Sequence, residues 1–335
     1  MSDSYQEYRD GLRRAIGQQD AAGRAIAAAN RAGVENVFLV GCGGSLSIML
    51  TGKYILEVHS RLPFYVYNSA EFVHLKPKAL GAKSLVVVAS SSGTTPETLE
   101  AARFAKARGA TTVGISKKSD SPLTGEVDYL LSAEATTGIA DCKLIMLYYA
   151  LFHLIGTTDA FARLDDVLRA MGTLPDALVE VRKKAEQPAA RFAEEYKKER
   201  IFYTLGSGAC WGQTYSYAIC ILEEMQWIVA QPIHAGEYFH GPFEIVDANA
   251  NLLLFRGEDL SRPIVDRAIR FSEKMTQRMV IIDTKDYALP GVPDDLRGYF
   301  SPLVLLAVLD RFSQQLAAKR DHPLTVRRYM GKMPY

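Results

Sequence analysis

The chain has 335 residues, of which 48% are hydrophobic, and its 39 basic and 38 acidic residues give a net charge of +1. This length exceeds the roughly 250 to 300 residues at which single hydrophobic cores stop growing, so we expect two domains. The near-zero charge argues against the cationic surface of a nucleic-acid binder or a membrane-surface protein, and a small-molecule partner is expected instead.

The N-terminus and the cysteines indicate a cytoplasmic protein. The stretch MSDSYQEYRDGLRRAI lacks the apolar core of a signal peptide, and no apolar run is expected to reach the roughly 18 residues of a membrane span. Cys42, Cys142, Cys210 and Cys220 are scattered without a CxxC pair. This spacing argues against a disulfide framework and a zinc site, so reduced cysteines and no bound metal are expected.

Short apolar runs, each followed by a turn or a helical pattern, recur through the first half of the chain. They predict strands at residues 37–40, 64–67, 85–88 and 112–115. Strands that are apolar throughout and alternate with helices are typical of a parallel sheet covered on both faces. We therefore expect a doubly wound α/β domain over residues 1–165.

The second half repeats this organisation after residues 166–198, which are charged and alanine-rich as in a helical connector. Strands are predicted at 201–205, 252–255 and 280–283, with a helix-like stretch from Gln213 to Ile228. The turn LGSGAC at 205–210 is similar to VGCGGS at 40–45. The predicted fold class is thus α/β with two tandem doubly wound, flavodoxin-like parallel-sheet domains, the second over residues 199–335.

A serine-rich turn, SSSGTTPE at residues 90–97, follows the third predicted strand directly and opens a helix. Backbone N–H groups at a helix N-terminus and neighbouring hydroxyls are donors for an anion. In the alternative interpretation the hydroxyls only cap the helix, but three serines and two threonines exceed what a cap uses. The turn GCGGS is expected to meet this one at the same sheet edge, so that Ser45 joins Ser90, Ser92 and Thr95 around one phosphate.

The glycine turn does not fit a nucleotide-binding motif. Gly41-x-Gly43-Gly44 lacks the third glycine of GxGxxG, no acidic residue closes the second strand, and the chain has no GxxxxGK[ST]. The expected ligand is therefore a phosphorylated small molecule.

Three stretches of the chain resemble a known family. SSSGTTPETLEA resembles the phosphosugar-binding loop of SIS (sugar isomerase) domains. YSYAICILEEMQW followed by IHAGEYFHGPFEIV resembles the isomerase half of glucosamine-6-phosphate synthase and, more closely, the fructosamine-6-phosphate deglycases, of the fructoselysine-6-phosphate deglycase type. The tail HPLTVRRYMGKMPY is similar to the end of those deglycases. The resemblance covers nearly the entire chain, as two SIS domains.

The resemblance implies a catalytic pair in the second domain. Glu224 would be the base that moves a proton on the sugar carbons, and His240, sixteen residues later, would open the sugar ring. Val229 stands where the synthase has a histidine, five positions after Glu224, and His234 is a candidate to replace that imidazole. Glu237, between the two histidines, is a further candidate for fixing a partner group or a sugar hydroxyl.

The resemblance also implies which groups hold the substrate. Lys332 matches the lysine that forms a Schiff base in the synthase, and it is a candidate catalytic, phosphate-contacting or lid residue. Asp141 matches a position that lines the sugar pocket of SIS enzymes. The implied phosphate ligands are Ser45, Ser90, Ser92 and Thr95, with backbone groups of Gly44 and Ser91. The tail residues expected to close over the site are Arg327, Arg328, Tyr329 and Tyr335.

The implied reaction converts a 6-phosphofructosamine, the Amadori product of an amino acid, to glucose 6-phosphate and free amine. Ring opening needs a group of near-neutral pKa, such as the imidazole of His240. The proton shift from C1 to C2 needs a carboxylate of raised pKa, and Glu224 lies in an apolar helical segment that would raise it. Glu223 would point about 100° away around a helix. Because the substrate brings its own nitrogen, no cofactor is expected.

A homodimer or larger homo-oligomer is expected, because in related SIS enzymes the histidine reaches the active site from a neighbouring subunit. Two alternatives remain open beside the deglycase. One is an SIS-type glucosamine-6-phosphate deaminase or aldose–ketose isomerase, and the other is a non-catalytic sugar-phosphate sensor. The sequence does not indicate which amine the sugar carries.

Overall fold

The computed structural model describes residues 2–334, which form two compact units. The first unit comprises residues 2–179 together with Pro290–Leu296, and the second comprises Glu180–Leu289 and residues 297–334. The change from one unit to the other falls inside a single 33-residue helix, Leu164–Tyr196. This helix covers most of the range that the sequence predicts to be a connector.

Helices and strands alternate along the first unit. They are α1 (Ser2–Ile16), α2 (Gln19–Arg31), β1 (Asn36–Gly41), α3 (Gly44–His59), β2 (Phe64–Asn68), α4 (Ser69–Leu75), β3 (Ser84–Ala89), α5 (Pro96–Ala107), β4 (Thr111–Ser116), α6 (Leu123–Glu126), β5 (Tyr129–Ser132) and α7 (Ile139–Thr158), and the long helix that follows is α8 (Leu164–Tyr196).

The five strands of the first unit form one sheet in the order β2-β1-β3-β4-β5, with every pair parallel. β1 and β3 are neighbours, and Gly41 at the end of β1 lies opposite Ala89 at the end of β3. The turns after these two strands therefore start side by side. This point between β1 and β3 is where parallel sheets of this strand order place their ligands.

Helix α7 is the buried helix of the first unit, and its residues from Asp141 to Phe152 are all buried. Gly52 of α3 lets the two helices approach closely, because a Cβ at this position would lie within 3.0 Å of the side chains of Leu147 and Leu151. By length and composition α7 could cross a membrane, contrary to the expectation from the sequence. However, 78% of its most apolar window is buried inside the fold, as in a core helix.

The second unit has the same alternation. After the second half of α8 come β6 (Ile201–Gly206), α9 (Trp211–Ser216), a π-helical segment (Tyr217–Glu223), α10 (Glu224–Gln226), β7 (Val229–His234), β8 (Leu252–Arg256), α11 (Arg262–Ser272), β9 (Met279–Asp283) and α12 (Arg297–Lys319). Its four strands form a parallel sheet in the order β7-β6-β8-β9. The chain is thus an α/β protein with two parallel sheets, as the sequence predicts.

All seven predicted strands are present, but the sequence pattern missed β5 and β7. Both are edge strands. β5 has four residues, and β7 reads VAQPIH, without the continuous apolar run that marks a central strand. Pro232 in β7 lacks an N–H donor, which an edge strand tolerates because one side of it is unpaired. The missed strand matters because it carries Val229 and His234, two of the predicted site positions.

Candidate active site

The serine turn after β3 folds around its own hydroxyls. The side chains of Ser90 and Thr95 are hydrogen-bonded at 2.9 Å, and the N–H of Gly93 donates to the Ser90 hydroxyl at 3.0 Å. Gly93 has φ 68°, the left-handed region that favours glycine. Thr95 is the residue preceding α5, but its side chain makes no capping hydrogen bond. The Thr95 hydroxyl therefore does not cap α5, contrary to the alternative interpretation of this turn.

The glycine turn after β1 brings Ser45 to the same edge of the sheet. Gly41 allows this close approach, because a Cβ there would lie 2.9 Å from the carbonyl carbon of Ser45. Ser45, in the first turn of α3, is 6% exposed, and Gly44 begins the helix. The predicted meeting of the two turns is therefore present in the fold.

Lys143 links the two turns. Its Nζ donates to the Ser45 hydroxyl at 2.9 Å and to the Ser91 hydroxyl at 2.7 Å, and the residue is only 2% exposed. A lysine is rarely buried unless its charge has a function or a compensating partner. The ammonium group, the hydroxyls and the N-termini of α3 and α5 together form a positively polarised cradle of the kind that binds a phosphate.

Asp141 lies two residues before Lys143 and is also buried, at 3% exposed. The hydroxyl of Tyr8 in α1 donates to its Oδ1 at 2.7 Å. Gly138, just before α7, makes room for the Tyr8 ring, since a Cβ there would lie 2.3 Å from a ring carbon. Asp141 thus fixes the start of α7 against α1, and thereby positions the helical turn that carries Lys143.

The corresponding sheet edge of the second unit holds a carboxylate of the protein itself. Gly208 has φ 52°, and a Cβ there would lie 2.4 Å from Oδ1 of Asp259 in the turn after β8. Asp259 is 7% exposed, its Oδ1 accepts the N–H of Ser261 at 2.8 Å, and burial raises its pKa. A carboxylate of the chain thus occupies this turn, whereas Lys143 and hydroxyls line the corresponding edge of the first unit.

Glu224 lies where an irregular helix ends. The π-helical segment Tyr217–Glu223 precedes it, and the N–H of Ile228 bonds back to the carbonyl of Leu222 at 2.8 Å. Trp227 then adopts φ 55°, ψ 38°, a left-handed conformation that is uncommon for a bulky residue. π-helical turns and strained backbone concentrate at functional sites.

Glu224 is paired with an arginine of the C-terminal tail. Oε1 of Glu224 lies 2.8 Å from a terminal nitrogen of Arg327, and the side chain of Glu224 is 25% exposed. Removal from water is the largest influence on this carboxyl and raises its pKa, while the charge of Arg327 and its hydrogen bond act in the opposite direction. The net pKa is raised, as expected for a general base.

The neighbouring Glu223 has a different environment. It is exposed, and its Oε1 accepts the N–H of Ala230 in β7 at 3.3 Å. Adjacent carboxylates therefore have separate roles: Glu223 is bound to the strand, while Glu224 is partly withdrawn from water.

The tail lies over the end of this helix. Nε2 of Gln226 donates to the carbonyl of His322 at 2.8 Å, and the His322 ring lies edge-on to Trp227 at 4.5 Å. The guanidinium of Arg328 sits 4.3 Å from the centre of the Trp227 ring. The resulting cavity beside Glu224 has a volume of about 510 Å³, and it is lined by Glu223, Glu224, Trp227, Ile228, Val229, Arg327, Arg328, Tyr329 and Met330.

The two predicted histidines lie away from this cavity. His234 ends β7, its Nδ1 accepts the N–H of Gly236 at 3.2 Å, and its ring packs edge-on to Trp211. Five residues along a strand separate it from Val229 by roughly 16 Å and put it on the opposite face of the sheet. His234 therefore lies at the other end of β7 from the position of the missing imidazole, and its role in place of that imidazole stays a prediction. His240 is exposed on the following turn, as is Glu237.

Lys332 and Tyr335 are the remaining predicted site and tail residues. Lys332 is exposed, and its backbone N–H donates to the carbonyl of Tyr329 at 2.9 Å. Tyr335 lies outside the described residues. Across residues 2–334, no three His, Cys, Asp or Glu side chains are grouped as metal ligands, and none of the four cysteines forms a disulfide.

Sequence reasoning missed Lys143 and the pairing of Arg327 with Glu224. The signal for Lys143 was present, because it is a lone cation within the apolar run of α7 and such a residue is buried there with its charge. No sequence signal pairs Arg327 with Glu224, since 103 positions separate them and only the folded tail brings them together.

Comparison with known proteins gives a consistent set of relatives. The model of the SIS domain matches residues 32–157. The fructosamine deglycase FrlB of Bacillus subtilis is 39% identical over 305 residues, covering 90% of this chain and 93% of that protein. The fructoselysine 6-phosphate deglycase of Escherichia coli O157:H7 is 27% identical over 298 residues, covering 89% of this chain and 86% of that protein. A Bacillus subtilis crystal structure assigned as a phosphosugar isomerase superposes with a TM-score of 0.88 at 37% identity, over 95% of this chain and 99% of that one.

Lys143→Met removes the cation that links the two turns. We expect the affinity for inorganic phosphate to fall at least about tenfold, because a hydrogen bond to a charged group is worth roughly 1.5 to 3 kcal/mol. A phosphate titration followed by ³¹P NMR measures this. Lys53→Met, which removes an exposed lysine of α3 paired with Glu57, is the matched control and should bind as the wild type does. Equal affinities for the wild type and Lys143→Met would contradict the assignment.

Proposed function

Because the chain belongs to the SIS-domain fructosamine deglycases, we propose that it hydrolyses 6-phosphofructosamines, the Amadori products of amino acids, to glucose 6-phosphate and free amine. The observation that carries this proposal is Glu224, a partly desolvated carboxylate of raised pKa that opens onto a cavity large enough for a substrate group.

The reaction uses one water and no oxidant. In the open-chain substrate, C1 carries the amine and C2 is a ketone. A base removes a proton from C1 to give an enaminol, and protonation at C2 gives an imine between C1 and the nitrogen. Water adds to C1, the C1–N bond breaks, and the amine leaves with a proton. The products are glucose 6-phosphate and the amine.

Glu224 is the base for the proton transfer between C1 and C2. Partial burial weakens its hydration and brings its pKa towards the working pH, which improves proton transfer. Its pairing with Arg327 keeps the carboxylate oriented and offsets part of the cost of placing a charge away from water.

The cradle between the two turns of the first unit binds the 6-phosphate. Ser45, Ser90, Ser92 and Thr95 supply hydroxyls, Gly44 and Ser91 supply backbone groups, and Lys143 adds a buried positive charge. A dianionic phosphate monoester matches this set of donors better than a neutral sugar does, because each donor gains from the ligand's charge.

His240 opens the sugar ring in a neighbouring copy of the chain, and we propose a homodimer or larger homo-oligomer on this basis. Support comes from its position: it is exposed, and among residues 2–334 it does not line the cavity that holds Glu224. Glu237 and Lys332, also exposed, are further candidates for contacts across such an interface. Asp141 is a candidate for the sugar end of the site, next to Lys143.

The finer description of the fold is also proposed. Both halves would be doubly wound SIS domains, over residues 1–165 and 199–335, with 166–198 as a helical connector. The shared strand order of the first four strands in each sheet supports a duplication. Four cysteines without a disulfide fit the reducing cytoplasm.

Glu224→Gln removes the base while keeping the shape of the side chain. We expect the release of glucose 6-phosphate from 6-phosphofructosyl amino acids to fall at least about a hundredfold, with phosphate affinity unchanged. A coupled glucose 6-phosphate assay across a panel of such substrates measures it, and ammonia release from glucosamine 6-phosphate tests the deaminase alternative. Glu180→Gln, at an exposed glutamate of α8 paired with Lys183, is the matched control and should keep wild-type turnover. Similar losses in both variants would contradict the assignment of Glu224.

Mixed oligomers test the contribution of His240 from a second chain. Glu224→Gln and His240→Asn are each expected to be inactive, whereas co-expression of the two should recover up to about a quarter of wild-type activity, since half of random dimers are mixed and each has one intact site. If co-expressed chains stay as inactive as the separate variants, both groups act within one chain.

Arg327→Gln removes the cation beside Glu224. Since Arg327 lowers the pKa of a carboxyl that burial raises, its loss leaves that pKa higher. The base must be ionised to act, so the acid limb of the kcat/KM profile should move to higher pH. Arg327→Lys, which keeps the charge, should stay near the wild-type profile. An unmoved limb in Arg327→Gln would show that the ion pair does not tune the base.

A further inference from the structure

We propose that the cavity beside Glu224 binds the amino-acid part of the substrate, and that Arg328, held against Trp227, pairs with the carboxylate of that amino acid. This inference rests on the proposed deglycase function. It names the chemical group by which the enzyme would recognise its amine.

The position of the base dictates where the amine lies. Glu224 removes a proton from C1, and C1 is the carbon that carries the amine nitrogen. The substituent on that nitrogen is therefore only a few bonds from the Glu224 carboxylate. A cavity of about 510 Å³ opens at this carboxylate, within the range of about 300 to 1,000 Å³ that is usual for small-molecule sites.

The charged groups around the cavity favour a ligand with a carboxylate. Four of its lining residues are charged: Glu223, Glu224, Arg327 and Arg328. Arg327 is paired with Glu224, and Glu223 accepts the backbone N–H of Ala230. Arg328 instead lies with its guanidinium 4.3 Å from the centre of the Trp227 ring and 6.0 Å from that of Tyr329.

Contact with an aromatic ring suits Arg328 to this task. A guanidinium held over a ring uses its face for that contact, while its N–H donors point outwards in the plane. Those donors form a fork that matches the two oxygens of a carboxylate. The ring thus fixes the side chain before the ligand arrives, which reduces the entropy lost on binding.

The rest of the cavity wall is apolar and adaptable. Four of its large apolar residues are partly open to solvent, with exposed fractions of 37% for Trp227, 64% for Val229, 60% for Tyr329 and 50% for Met330. Burying these apolar groups under a ligand side chain would stabilise the complex, and methionine can adapt to side chains of different shapes. Recognition would therefore depend more on the carboxylate than on the identity of the amino-acid side chain.

A pair of nearly isosteric substrates isolates the carboxylate. We compare kcat/KM for 6-phosphofructosylglycine and 6-phosphofructosylglycinamide, which differ only in the charged end group. The wild type is expected to prefer the glycine substrate by roughly 10- to 100-fold, the usual range for a hydrogen-bonded charge pair. Arg328→Gln should abolish this preference, with the amide substrate turned over within about twofold of the wild-type rate. Arg328→Lys should restore part of it.

Controls separate recognition from effects on the fold or on the chemistry. Lys319→Gln removes one positive charge from the end of α12, outside the cavity, and should keep the wild-type preference. If Arg328→Gln lowers kcat/KM equally for both substrates, or leaves the preference intact, Arg328 does not bind the carboxylate. A wild type that prefers neither substrate, while turning over both, overturns the inference alone. A wild type that turns over neither overturns the proposed function as well.

Discussion

The proposed chemistry depends on one constraint: the carboxylate of Glu224 must be kept partly out of water and still be able to ionise. Glu224 meets it through two opposing influences: burial raises its pKa, and the charge of Arg327 at 2.8 Å limits that rise. The backbone around it is irregular in the same region, with a π-helical segment before it and a left-handed Trp227 after it. The tail, held by Gln226 and Trp227, supplies the compensating charge from the other end of the unit's sequence.

The two turns of the first unit also hold a charged group away from water, but here the group is a cation, Lys143. Lys143 is a buried cation whose ammonium group contacts hydroxyls from two turns, and in the proposed function a phosphate compensates its charge. The corresponding turn of the second unit, at Gly208, is occupied by the carboxylate of Asp259. The two units have sheets of similar strand order, and in the proposed function the first holds the anion while the second carries out the acid–base chemistry.

Sequence patterns predicted all the central strands but missed two of the four edge strands. The buried strands could be predicted because parallel strands covered on both faces are apolar throughout. β5 and β7 were missed because edge strands need no such pattern, and β7 even contains Pro232. Ser45 and the serine turn were predicted because each directly follows a strand, and adjacent strand ends meet in space. Lys143 and the pairing of Arg327 with Glu224 were not, since they depend on contacts across 98 and 103 positions of sequence.

In the proposed reaction the protein acts at C1 of the substrate, converting a ketosamine carbon into an aldehyde carbon and releasing the amine. The most direct measurement follows [1-¹³C]-6-phosphofructosylglycine by ¹³C NMR in the presence of the purified protein. We expect the label to move from the amine-bearing methylene to C1 of glucose 6-phosphate, with one glycine released for each sugar. A label that stays on the methylene, or that appears on a ketose product, would contradict it.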